Sequence, residues 1–334
     1  MVTGNMKRLL LLNKSPIEIF TMKLVLAFFR MIRLPNLFFI VLTQFLFYFC
    51  IVSPILEEGH LQPKINASLL IILVIASVFI AAAGYIINDY FDINIDNINK
   101  PQGNVVDKIV SRRWAMALHF ILSGTGIVLS SYISWKTGLW YIIVSNFICV
   151  FLLFGYSVSL KKRLLSGNVV ISLLTAWVIM ILCLAEINLF DLSDRNVLLA
   201  SNKIIRLGFI YAGFAFISSL IREAIKDIED MQGDEKFGCK TMPIVWGVNA
   251  AKVYIAVWLI VLIAVVIILQ VYIMQFHWWW PVIYSILLII LPLCFIFYRL
   301  FRASGIKHYH RLSTLTKLVM LSGILSMIFF YFYL

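Results

Sequence analysis

Nine apolar runs of about twenty residues constrain this chain most, because ~20 apolar residues let an α-helix cross a bilayer core of ~30 Å. They fall near 37–55, 67–89, 114–134, 139–157, 168–187, 204–223, 249–272, 278–299 and 313–333. A spanning β-barrel would alternate apolar and polar residues instead. Of the 334 residues, 62% are hydrophobic and 13% charged, against roughly 25% charged in a soluble domain. So little charge cannot cover a soluble core of this size. An ordinary soluble enzyme, a disordered chain and a nucleic-acid binder are excluded. The expected fold is an all-α integral membrane protein, nine transmembrane helices in a single bundle.

The net charge of +12 follows from topology. Lys and Arg collect on the cytoplasmic side of membrane proteins. Here 23 of the 28 lie in the N-terminal stretch, in the loops near 90–113, 158–167, 224–248 and 300–312, or in their flanks. Lys64, Lys136, Arg195, Lys203 and Arg206 face the other way. This asymmetry places the N-terminus in the cytoplasm, and an odd number of spans then places the C-terminus outside. Residues 1–33 read as an N-terminal cytoplasmic or interfacial segment. Leu9 to Leu12 are too few for a signal-peptide core; Met6 and Met22 are alternative starts.

Most other features have ordinary structural readings. The five cysteines form no C-x-x-C pair and predict neither disulfides nor a zinc site. Trp278-Trp279-Trp280 reads as an interfacial girdle. Gly124 and Gly126 are expected to let helices approach closely. His308 and His310 lie in a basic loop and read as solvated.

The acids need another explanation, since Asp and Glu contribute little to topology. Eleven of 16 fall on the basic side, ten of them in two regions spanning 89–107 and 223–235, each with a dense core. The first core begins Asn88-Asp89-Tyr90-Phe91-Asp92 and reaches Asp96; the second runs from Asp227 through Asp230 to Asp234. Both carry the spacing D-x-x-D-x-x-x-D, after the second and the sixth span. On a helix these positions share one face. Asp89, Asp92 and Asp96 would point together, as would Asn88, Asp92 and Asp96, and Asp227, Asp230 and Asp234. A single such triplet is usually a solvated helix end; two of matched spacing on one side predict helix ends facing each other across an active-site cavity on the cytoplasmic side.

Three carboxylates on one face repel one another, and ionised groups near lipid are costly. A cation relieves both. Oxygen ligands suit Mg²⁺, which prefers one or two carboxylates together with waters and substrate phosphates. The two clusters therefore read as a diphosphate clamp, with Mg²⁺ as cofactor. Arg33, Lys100, Lys161, Lys162, Arg163, Arg222, Lys226 and Lys240 lie on the same side as candidate phosphate ligands. For Lys161-Lys162-Arg163 and for Arg33, a plain interfacial anchor is the competing reading. A cation transporter also explains such acids, but its site usually lies at midplane on broken helices.

The paired clusters resemble the signature of the UbiA superfamily of intramembrane prenyltransferases, which has nine transmembrane helices and Asp-rich motifs after the second and the sixth. The resemblance covers the chain from about Arg33 onward and implies a prenyltransferase domain over 34–334. It implies that Asn88, Asp92, Asp96, Asp227, Asp230 and Asp234 hold metal and act in catalysis. It further places Lys161 and Lys162, after Tyr156-Ser157, near the diphosphate. Asp96-Asn97-Ile98-Asn99-Lys100-Pro101, Arg222 to Asp230, Gly233-Asp234 and Lys240 to Ile244 are similar to words of the digeranylgeranylglyceryl phosphate synthase branch. That branch often continues with an R-P-I-P-S-G-like run; this chain reads Gln102-Gly103-Asn104-Val105-Val106. The expected partners are thus a prenyl diphosphate donor, a lipophilic acceptor such as geranylgeranylglyceryl phosphate, and the lipid bilayer. An aromatic acceptor in quinone synthesis, or haem in haem O synthesis, is the alternative. Oligomeric state is not readable from the sequence.

Overall fold

In a computed structural model of the chain, the described residues are 16–99, 105–186 and 195–333. Among them are nine helices long and apolar enough to cross a membrane. We label these α1 (Leu34–Glu58), α2 (Ala67–Asn99), α3 (Arg112–Thr137), α4 (Trp140–Val158), α5 (Ser166–Glu186), α6 (Arg195–Glu229), α7 (Val248–Met274), α8 (Trp279–Arg302) and α9 (Ile306–Tyr333). All nine expected spans are present. A further helix, Pro16–Met31, leads into the bundle. No strand occurs among the described residues, only a bridge between Val106 and Val110.

Two helices, α2 and α6, outrun the expected spans most. At 1.5 Å per residue, the 33 residues of α2 and 35 of α6 reach about 50 Å, beyond the ~30 Å core. The added turns carry the first acidic cluster and the Asp227 end of the second, so the first cluster is helical to Asn99 rather than partly loop. Hydropathy alone ends each span where charge begins, while the backbone hydrogen-bond ladder continues.

The helices pair in an order that leaves space inside. α2 packs on α3, α5 on α6, and α9 on α6, while α1 touches α2, α5 and α9. Inward positions are rich in small residues: Ser77, Ala81 and Gly84 on α2, Ala215, Ser218 and Ser219 on α6, and Gly323 on α9 line one cavity. Outward faces are large and apolar, as lipid contact requires. Trp135 and Trp140 at one level, and Trp279 and Trp280 at the start of α8, are exposed. Trp278 differs from its girdle neighbours, stacking on Tyr333 with ring centroids 4.7 Å apart.

Of the two glycines, Gly126 packs as expected: a Cβ there would stand 2.7 Å from Ile80 Cγ1. Gly124 does not, since nothing lies within 4 Å of its Cβ position. The five cysteines are free. π-turns at Tyr48–Val52 and Ile286–Ile290 each precede a proline, Pro54 and Pro292, that lacks an amide hydrogen.

Candidate active site

The cavity has a volume of about 1130 Å³ and is walled by α1, α2, α4, α5, α6 and α9, with the lead helix at its mouth. Drug-sized ligands occupy pockets of roughly 300–1,000 Å³, so this one is large enough for long lipid chains. Its polar mouth holds both acidic clusters, and its deeper wall is lined by residues such as Ile179, Phe214 and Met327.

Asn88, Asp92 and Asp96 all face this space from α2, and Asp89 does too. The second triplet also lines it, but not from one uninterrupted helix. α6 stops at Glu229, Asp230 leaves helical geometry at φ −92° and ψ 2°, and Asp234 sits in a short helix, Met231–Lys236. The bend turns that short helix onto α2. Asn99 fixes the junction: its Nδ2 donates to the Asp230 carbonyl at 2.8 Å, and its Oδ1 accepts the Gly233 amide at 2.9 Å. Helical spacing could suggest the two facing rows, but not the bend or the side chain that clamps it.

Cations meet these acids directly. Lys161 donates to Asn88 Oδ1 at 3.2 Å and forms an ion pair with Asp92. Both side chains are largely buried, at 10% and 14% exposure. Burial pushes the Lys161 ammonium down from its ordinary value, and Asp92 opposes that shift. Asp227 accepts a hydrogen bond from Asn168 Nδ2 at 2.8 Å.

Arg33 comes from the other side, pairing Nη2 with Asp89 Oδ1 at 2.8 Å and lying 5.1 Å over the Tyr85 ring. Burial opposes its charge, but Asp89, with Tyr85 and Asp96, outweighs that and raises its proton affinity. Its backbone is left-handed at φ 52° and ψ 55°, a strained state for a non-glycine residue that turns the chain from the lead helix into α1. Arg222 Nη1 and Lys226 Nζ flank Glu223, at 2.7 and 3.4 Å.

The other sequence candidates divide. Lys162 does not line the cavity: it shares a 3₁₀ turn with Lys161, so consecutive side chains point about 120° apart. Its carbonyl accepts the Lys240 amide at 2.7 Å. Arg163 and Lys240 also stay outside the lining. Lys100 lies outside the described residues. His310 is exposed and bonds Glu229 at 2.8 Å.

Asn99, Asn168, Glu223, Asn36 and Lys317 enter the site without having been singled out as candidates. Lys317 carried a signal, a lone charge inside an apolar span.

The donor set is all oxygen, which suits a hard divalent cation. The Lys161 ammonium already bridges Asn88 and Asp92, marking where positive charge is favoured. Among the described residues, no three His, Cys, Asp or Glu side chains gather closely enough to hold an ion alone. Mg²⁺ takes one or two carboxylates and draws its other ligands from water and phosphate.

A lipid-embedded bundle with a charged mouth and a deep apolar chamber defines an intramembrane enzyme for substrates with anionic heads and long tails. The UbiA prenyltransferase family model matches residues 46–317, and the chain belongs to that family. It is a prenyltransferase. A digeranylgeranylglyceryl phosphate synthase from Methanosphaera stadtmanae is 30% identical over 252 residues, covering 75% of this chain and 83% of that protein. A solved structure of a digeranylgeranylglyceryl phosphate synthase superposes with TM-score 0.60 at 22% identity, covering 93% of this chain and 100% of that one. A UbiA homologue from Archaeoglobus fulgidus, bound to DMAPP and Mg²⁺, superposes with TM-score 0.53 at 14% identity, covering 90% and 99%.

Proposed function

We propose that the protein transfers a geranylgeranyl group from its diphosphate to the free hydroxyl of geranylgeranylglyceryl phosphate, with Mg²⁺ as cofactor. The observation that carries this reading is the meeting of two acidic rows and Lys161 at the mouth of an apolar chamber. The 30% identical relative of the same activity supports the acceptor. The Archaeoglobus fulgidus homologue, with Mg²⁺ and a prenyl diphosphate bound, supports the cofactor.

Asn88, Asp92 and Asp96 on one wall, and Asp227, Asp230 and Asp234 on the other, would hold the metal. When bound, Mg²⁺ neutralises phosphate charge and so improves the leaving group. Lys161 points its ammonium at the same place and offsets charge on the departing diphosphate. Asn168 orients the Asp227 carboxylate, and Asn99 sets the position of Asp230. Arg33, Lys226 and, one helical turn further in, Arg222 extend the positive field.

The allylic carbon–oxygen bond breaks with its electron pair going to the diphosphate. The acceptor oxygen then bonds to that carbon and releases its proton, giving an ether. Carbocation character at the carbon requires exclusion of water, which the apolar wall supplies. Tyr85 and Tyr156, both in the lining, present rings that can stabilise positive charge.

The mouth is assigned to the cytoplasm because 23 of 28 Lys and Arg lie on its side. Residues 34–334 then form one transmembrane domain, with 1–33 entering from that side. The test is purified protein assayed with geranylgeranyl diphosphate against a panel of acceptors. Transfer to the glycerol phosphate lipid is expected; transfer only to aromatic acceptors would sink the reading.

A further inference from the structure

One group of cations in the cavity stands apart from Lys161, and only Arg33 among them pairs directly with an acidic row, through Asp89. Lys317, on α9, donates from Nζ to Asn36 Oδ1 at 2.6 Å, an amide rather than an acid. It lines the same cavity as Arg33, Arg222 and Lys226 and lies within electrostatic reach of all three, so cations from α6, α9 and the start of α1 converge. Two carboxylates share the group: Asp89 pairs with Arg33, and Glu223 with both Arg222 and Lys226. Within hydrogen-bonding distance four cations meet two carboxylates, an excess of two positive charges, with Asp96 and Asp227 reaching Arg33 and Lys226 from further off.

Like charges gathered in a low-dielectric site repel unless an anion joins them. Arg222 Nε is buried without a hydrogen-bond partner, a donor left over in the cavity wall. Such a buried donor is costly unless something accepts from it.

Most of the group also lies deeper than Lys161, with Lys226, next to Asp227, at its upper edge. Along α6, Arg222 precedes Asp227 by five residues, about 7.5 Å deeper. On α2, Tyr85 and Asp89 precede Asp92 by two turns and by one.

We propose that Arg33, Arg222, Lys226 and Lys317 form a second anion subsite that takes the phosphomonoester head of the acceptor, separate from the diphosphate position at Lys161. A phosphomonoester with a second pKa near 6 carries about two negative charges at neutral pH, matching the excess. Its three terminal oxygens suit a guanidinium fork and several ammonium donors at once. In a glycerol phosphate lipid the reacting hydroxyl is on the carbon next to the phosphorylated one. A phosphate fixed at this depth therefore holds that hydroxyl within a few ångströms of its anchor, beside the donor. This inference rests on the proposed acceptor class for its catalytic meaning, but not for its chemistry.

The test uses purified full-length protein and two readouts. In the first, glycerol 1-phosphate is titrated by calorimetry. Lys317→Met is expected to weaken binding at least tenfold, and Lys317→Arg to retain most of it. In the second, steady-state transfer is measured. Lys317→Met should raise KM for the phosphate-bearing acceptor about tenfold and leave KM for the prenyl diphosphate within twofold. Asn36→Ala, which frees the Lys317 ammonium without removing it, should give a smaller shift in the same direction. Unchanged glycerol 1-phosphate binding in Lys317→Met overturns the subsite, as does an equal rise in both KM values. If the protein prenylates only aromatic acceptors while glycerol 1-phosphate binding still depends on Lys317, the acceptor reading falls and the anion site stands.

Discussion

Asn99, the last residue of α2, holds Gly233 in place: its Oδ1 accepts the Gly233 amide at 2.9 Å while its Nδ2 donates to the Asp230 carbonyl at 2.8 Å. One amide side chain thus ties the end of the first motif helix to the bend of the second. The two acidic rows keep their separation because this residue spans it. Gly233 is required by the closeness of the approach: a Cβ there would lie 2.5 Å from Asn99 Oδ1.

Asn99→Ala removes both bonds, each contributing about 0.5–1.5 kcal/mol. The expected result is a fall in transfer of tenfold or more and a weaker apparent affinity for Mg²⁺. Gly233→Ala should behave alike, by pushing the Asn99 side chain away. Metal titration of transfer is the measurement; a variant with unaltered metal dependence would show that the tie only stabilises the fold.

Metal dependence is testable on the acids themselves. Chelation should abolish transfer and added Mg²⁺ should restore it. Asp92→Ala and Asp230→Ala, one from each wall, should each lower kcat/KM by about 10²-fold or more, the scale of losing one electrostatic contact to the reacting centre. Full activity in either variant would remove that residue from the metal set.

Lys161 gives a pH prediction. Burial lowers its proton affinity, so its charge is lost at a lower pH than an exposed lysine's. The charged form is the one that faces the diphosphate, so transfer should fall as pH rises through this lowered value. Lys161→Arg stays charged and should carry the alkaline limb upward, whereas Lys161→Met should remove the limb together with most of kcat. A limb unmoved by Lys161→Arg would assign it to another group.

The bundle and the matched triplets could be read from the chain because lipid imposes a length and a hydropathy on every span, and because i, i+3 and i+7 share a face. What could not be read depends on contacts between distant residues. The ends of α2 and α6 escape hydropathy because charged turns remain hydrogen-bonded. The bend at Asp230 is fixed by Asn99, 131 positions earlier in the chain. Lys161 and Lys162 look equivalent in sequence, and only a 3₁₀ turn separates their directions. The left-handed backbone of Arg33 carries no sequence signature, since glycine or asparagine would be the residue anticipated there.

At the far end of the bundle, Glu186 should matter to stability rather than chemistry. Its two carboxylate oxygens accept the backbone amides of Lys64 and Ile65, each at 2.9 Å, pinning the α1–α2 turn to the end of α5. Glu186→Ala leaves those buried amides unpaired and should cost about 3 kcal/mol. The thermal midpoint should drop, with kcat/KM at low temperature close to that of the parent. A loss of turnover without a loss of stability would contradict the structural role.

The depth of the chamber predicts donor selectivity. Tyr211 lies sixteen residues before Asp227 on α6, about 24 Å deeper, and its hydroxyl meets Ser326 Oγ at 3.0 Å. Ile179, Tyr211 and Met327 come from three different helices and line this deep region. A prenyl tail whose diphosphate sits at the acidic mouth runs down this axis, so its last isoprene unit reaches them. Ile179→Phe adds bulk to the wall without touching the mouth. It should lower kcat/KM for geranylgeranyl diphosphate at least tenfold while leaving the shorter geranyl diphosphate nearly unaffected, the short donor serving as the control for folding. Equal losses with both donors would mean that the tail leaves the bundle sideways into lipid instead of lying along its axis.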